Sequence, residues 1–204
     1  MPMRTLRGRR AVSDFARALP IIRRSECHPA CRQGEHAKCF TNNPDDPGGA
    51  TCCGIIQRTY DAYRISRHLP GRPVQEHGWD EHADLYKERF WDRGRCGDLA
   101  WPLSLIHFDA CVNHGTEPRA PNGAFKVNGG RLLQLAAHVV PVDGIVGPQT
   151  LAHVRAAPLA VTCYRYICER FFRYDDLADA NPRLIPFQVG GWEQRLKDLY
   201  TEVA

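Results

Sequence analysis

No run of apolar residues in this chain approaches the roughly 20 needed to cross a bilayer as a helix, so a helical membrane-spanning protein is excluded. No segment alternates apolar and polar residues as a half-buried strand does, and no repeat or low-complexity linker divides the chain. A strong charge of one sign is also missing. The 27 basic and 23 acidic residues leave a net charge of +4. That mild excess suits an anionic partner such as a bacterial wall, and it serves solubility equally well. Its densest part is the opening "MRTLRGRR", which reads as a solvated arm (residues 1–10) and not as a nucleic-acid-binding element. An export signal is lacking too. "RGRRAVSDFARALPII" puts paired arginines before apolar residues, but Asp14 and Arg17 break the apolar stretch and no small-residue cleavage site follows. Synthesis in the cytoplasm without a signal peptide is the expectation.

Cysteine, by contrast, is abundant, with nine residues in 204. Cys27, Cys31, Cys39, Cys52 and Cys53 cluster; Cys96, Cys111, Cys163 and Cys168 are dispersed. The clustered five, with His28 beside them, have the ligand types of a zinc site, although their spacing fits no standard finger. Disulfides that pin a loop are the rival reading and need an oxidising compartment. Both stand. Cys163 and Cys168 fall in an apolar helical segment, where buried thiols are expected.

The rest of the chain reads as mainly α. Val12, Phe15, Leu19 and Ile22 share one face of a helix over 11–26, which Pro20 is expected to kink or divide. Turn composition fills 27–54. Helices follow in "IIQRTYDAYRISR", "EHADLYKERFWD" and "LSLIHFDACVNHG". A pair over 119–138 and 149–156 flanks "VPVDGIVGPQT". A longer helix runs from Pro158 to about Leu177, with Leu159, Cys163, Ile167 and Phe171 as its apolar stripe, and "WEQRLKDLYTEV" closes the chain.

The stretch with chemistry is "FTNNPDDPGGATCCGI". Pro47 fixes one dihedral and the paired glycines admit conformations closed to other residues, so the turn can present Asp46 and Thr51 to a cleft. This stretch resembles the signature of glycoside hydrolase family 108, the N-acetylmuramidases of phages and bacteria. The resemblance continues through "YKERFWDRGRCGDLAWPLSLIHFDACVNHG", "LLQLAAHVVPVDGIVGPQTLAHV", "ERFFRY" and "FQVGGWEQRL", and so spans about residues 11–203. It implies a lysozyme-like single helical domain with a loop-rich, cysteine-containing insertion at its active site. The expected division is a catalytic core over 11–118 and a C-terminal peptidoglycan-binding-type region over 119–204 packed on it.

The family's catalytic glutamate is the point of departure. An ungapped alignment puts Ala37 in its place and implies a dead enzyme. Anchoring on the helix instead matches "ALPIIRRSE" to the family's helix-closing pattern and selects Glu26. An insertion then runs from Cys27 to Cys39, its cysteines stapling the loop base. On this reading Glu26 is the general acid and Asp46 activates water or stabilises the oxocarbenium-like transition state. A turn-capping role for Asp46 is the alternative. Thr51 orients water or a carboxylate. Asp109 and Asn113, four apart on one helix, are candidates for the glycan groove or for structural hydrogen bonds. Tyr60 and Trp91 are candidates for stacking on sugars or for filling the core. The resemblance implies a monomeric peptidoglycan hydrolase that needs no cofactor, acting on the wall after release or secretion. A catalytically inactive wall binder on the same fold is the alternative. An interaction protein built on zinc is a third reading, and it leaves the downstream motifs unexplained.

Overall fold

A computed structural model describes residues 13–29, 31, 36–42 and 49–203; the arginine-rich start, Glu35 and Asp46 lie outside the described residues. Helix α1 spans Asp14–Glu26 and is capped at its start by Ser13, whose hydroxyl accepts the Ala16 amide at 3.3 Å. Pro20 neither divides nor ends it. The helix loses one intrahelical donor at that position, and burial of Ala18, Leu19 and Ile22 compensates.

Among the described residues, three strands of two residues each were not foreseen: β1 (Phe40–Thr41), β2 (Thr51–Cys52) and β3 (Ile55–Ile56). They form an antiparallel sheet in that order, with Thr51 opposite Ile56 and Cys52 opposite Ile55. Strands this short carry no periodicity to read. What the sequence does carry is the turn. Cys53 and Gly54 both hold positive φ, 48° and 75°, as a tight two-residue hairpin requires.

Helices α2 (Gln57–Ser66) and α3 (Trp79–Tyr86) follow, α3 running into a wider π-type turn over Lys87–Asp92. Helix α4 (Leu103–His114) is buried almost all round, as an apolar helix at the centre of a bundle must be. Helices α1, α5 (Gly129–Ala136) and α7 (Leu159–Ala180) pack against it. The short helix α6 (Pro148–Ala156), the single turn α8 (Ile185–Phe187) and α9 (Glu193–Val203) complete the fold. The result is the mainly α, lysozyme-like domain expected. The segment 119–128 is irregular where a helix was expected.

The buried stripe of α7 also differs from the expected one. It is Thr162, Cys163, Tyr166, Arg170, Tyr174 and Ala178, whereas Leu159 and Phe171 are 38% and 39% exposed. The stripe turns this way because α7 must present Arg170 to Asp109 on α4, where the Arg170 Nη2 lies 2.6 Å from Oδ2.

Candidate active site

Helix α4 carries an aspartate, Asp109, within the buried run Leu103–Cys111, and a charge there requires partners. Two guanidiniums supply them. Arg170, fully buried on α7, takes Oδ2. Arg195 on α9 takes both oxygens through Nε at 3.0 Å and Oδ1 again through Nη2 at 2.8 Å. This fork-to-carboxylate geometry fixes the guanidinium plane. Burial pushes the Asp109 carboxyl up, but the two cations outweigh it and hold it down at about 2.

The remaining nitrogen of Arg195, Nη1, reaches Glu26 Oε1 at 2.5 Å. Glu26 is the last residue of α1, and its side chain is 18% exposed. Asn113, one turn beyond Asp109, accepts from Arg195 Nη1 and Nε at 3.1 and 3.2 Å, with its amide oxygen facing the guanidinium. One arginine therefore joins three residues proposed from the sequence, Glu26, Asp109 and Asn113, into a single network. With Arg170 included, two carboxylates balance two cations. His114, on the same helix, is kept neutral by burial and by Arg170, with its imidazole lowered to about 3.

The hairpin turn forms the other wall. A Cβ on Gly54 would stand 2.5 Å from the Tyr86 hydroxyl and 3.0 Å from Glu26 Oε2, so only glycine fits between them. The Tyr86 hydroxyl donates to the Cys53 carbonyl at 3.2 Å, tying α3 to the turn. Beside Arg195 a cavity of about 270 Å³ opens between α1 and α9, lined by Ile21, Arg24, Ser25, Asp109, Asp198 and Glu202 among others.

Thr51 heads β2 and donates its hydroxyl to the Gly49 carbonyl at 3.2 Å, a turn-stabilising bond. Of the two readings of Tyr60 and Trp91, sugar stacking or core filling, burial selects the second. Tyr60 is 0% exposed, stacks on Tyr63 and donates to Glu81 at 2.7 Å. Trp91 is 5% exposed and packs edge-on against Phe15 and Phe108. Both rings belong to the core, where an apolar face gains more from burial than from solvent. Ala37 lies in the short 3-10 turn His36–Cys39.

Cys31 and Cys39 are joined by a disulfide. Cys53 lies against that bridge and, on its other side, against Cys52 and His77. A separate buried group comprises Cys96, His107 and Cys111. There, hydrogen bonding from Cys96 and the nearby imidazole lower the Cys111 thiol to about 5.

Sequence reading missed Arg170, Arg195, Tyr86 and His77. For the first, a signal existed: an arginine within the i, i+3, i+4 stripe of a buried helix face implies a buried counter-ion.

Residues 34–115 match the model of Glycosyl hydrolase 108, and residues 128–197 match that of a predicted peptidoglycan domain. No curated protein matches the chain. A solved structure titled "Structure of Brucella abortus SagA" is similar at a TM-score of 0.68 and 22% identity, covering 93% of each chain. That likeness is one of fold.

Proposed function

We propose that this chain, a glycosyl hydrolase 108 sequence followed by a predicted peptidoglycan domain, is a peptidoglycan hydrolase that cleaves the β-1,4 bond between N-acetylmuramic acid and N-acetylglucosamine. The two family matches support action on peptidoglycan. The observation that supports Glu26 as the general acid is its placement. It is a partly exposed carboxylate at a helix end, gripped on one oxygen by an arginine that a buried aspartate holds rigid.

Hydrolysis of a glycosidic bond needs a proton delivered to a poor leaving-group oxygen. Glu26 Oε2 faces the hairpin and is the oxygen not engaged by Arg195. Arg195 then acts as a positioning residue. It fixes the rotamer of Glu26, and after proton transfer it stabilises the carboxylate left behind. Asp109 and Asn113 hold Arg195 and do not themselves meet the sugar. Asp46 is the proposed second group, and Thr51 orders the chain beyond it through its bond to the Gly49 carbonyl. The glycan enters from outside the cytoplasm, the only place the polymer exists.

The test is digestion of purified peptidoglycan by the unmodified protein and by Glu26→Gln, with products identified by reducing-end labelling and mass spectrometry. Fragments ending in reducing N-acetylmuramic acid, absent with the variant, are expected. Reducing N-acetylglucosamine ends or 1,6-anhydro ends would refute the assigned reaction.

One observation favours a second reading. The glycosyl hydrolase match begins at residue 34 and so includes Ala37 but not Glu26. If neither protein cleaves while both still sediment with the wall, the chain is a binder that has lost its acid.

A further inference from the structure

Cys27 follows Glu26 directly, and Cys52 and Cys53 lead into Gly54, the residue that Glu26 touches. Cys53 meets each of the other two thiols. The Cys53 sulfur is hydrogen-bonded to those of both Cys27 and Cys52. The sulfurs of Cys52 and Cys53 and a ring nitrogen of His77 lie within 4.8 Å of one another. All four side chains are buried. Neighbouring residues of a strand normally face opposite ways. Here Cys53 has turned into the left-handed region, φ 48°, which allows it to share a side with Cys52. The Cys31–Cys39 disulfide lies alongside, against Cys53.

We infer that Cys27, Cys52, Cys53 and His77 form a structural site for a tetrahedral divalent cation of borderline softness, with zinc the metal their chemistry selects. Three sulfurs and one imidazole nitrogen are a closed zinc donor set. Bonds of about 2.3 Å to sulfur and about 2.0 Å to nitrogen put tetrahedral ligand atoms roughly 3.5–3.8 Å apart. Cys52, Cys53 and His77, within 4.8 Å of one another, reach that shell by small inward shifts, and Cys27 joins them from its contact with Cys53. Binding releases the thiol protons to solvent, and three thiolates around a dication leave one excess negative charge. Arg23 stands ready for it. Its guanidinium lies within electrostatic reach of Cys27 and Cys53 and is fixed by a 2.8 Å bond to the Trp79 carbonyl.

Such a site ties three elements at the acid: the end of α1, the β2–β3 turn and the segment that leads into α3. The metal holds Glu26 in place and takes no part in its proton transfer. The inference stands whether or not the chain cleaves glycan.

The experiment is metal analysis of the full-length protein after buffer exchange, with release of the ion by a thiol-specific mercurial and X-ray absorption of the bound metal. One zinc per chain in a shell of three sulfurs and one nitrogen is expected. Cobalt substitution should give the intense visible bands of a tetrahedral thiolate site. His77→Ala, which keeps every thiol, should weaken metal retention by roughly 10-fold or more and alter the cobalt spectrum. Replacing both Cys31 and Cys39 by serine should leave the stoichiometry at one. Metal-free protein carrying a Cys27–Cys53 disulfide or freely titrating thiols would overturn the inference. Loss of the metal in the Cys31→Ser/Cys39→Ser protein would also overturn it, by assigning the ligands elsewhere.

Discussion

Replacing Asp109 by asparagine keeps the shape of the side chain and removes the charge that two buried cations share. Arg170 is the more exposed to the loss energetically, because it is fully buried and its Nε and Nη1 already lack hydrogen-bond partners among the described residues. Two estimates bracket the cost. The Asp109 carboxyl is held at about 2 against an ordinary 3.8, which corresponds to about 2 kcal/mol of stability at neutral pH. Stranding a buried charge costs about 3–5 kcal/mol. For a domain of this size the larger figure lowers Tm by roughly 6–20 °C. The pH dependence has a definite sign. A carboxyl depressed in the folded state contributes fully above 3.8, and that contribution is lost as pH falls through about 2. Calorimetry at neutral pH and at a series of acid values should therefore show a wide gap between the parent and Asp109→Asn that narrows below about pH 4. Adding Arg170→Gln should recover part of the loss by removing the stranded cation. A Tm change under about 2 °C at neutral pH, or a gap that widens on acidification, would refute the account of a charge-balanced core.

Other consequences can be checked separately. Gly54→Ala places a Cβ against Tyr86 and Glu26 at a positive φ, and should cost roughly 1–3 kcal/mol in denaturant unfolding together with most of the hydrolysis. Arg195→Lys keeps the charge but not the fork, so kcat on labelled peptidoglycan should fall roughly 10- to 100-fold. Sedimentation with the wall should stay unchanged, and an equal loss of both would assign Arg195 to binding. His114 stays neutral down to about 3 when folded but protonates near 6.5 when unfolded, so stability should decline as pH falls from 6.5 and be flat above it. His114→Gln should flatten that decline in urea titrations; persistence of the slope would assign it to another group.

The helices were legible because their apolar spacing is long and regular, α4 and α9 to within a residue. The strands were not, because a two-residue strand has no period. The stripe of α7 was misplaced because Arg170 counts as polar in any apolar tally although it is one of the most buried side chains in the protein. The candidate site was partly legible. Glu26, Asp109 and Asn113 were named from sequence, and the structure joins them through Arg195, which lies far along the chain in a stretch, "FQVGGWEQRL", that gave it no role. Tyr60 and Trp91 were legible only as a pair of alternatives. An aromatic on an amphipathic helix looks alike whether it meets a sugar or a phenylalanine, and only the fold distinguishes the two.

The ion pair between Glu26 and Arg195 bridges the first described helix and the last, and Arg195 falls within the segment matched as a peptidoglycan domain. This bears on modularity. A protein whose wall-recognition segment were a detachable cassette could be retargeted by swapping that cassette. In this chain the exchange would also remove the guanidinium beside the proposed acid and, because Arg170 lies in the same segment, strip Asp109 of both its cations. Any graft that respects the chemistry has to carry α7 and α9 with the N-terminal half, or restore both arginines at the same points in space.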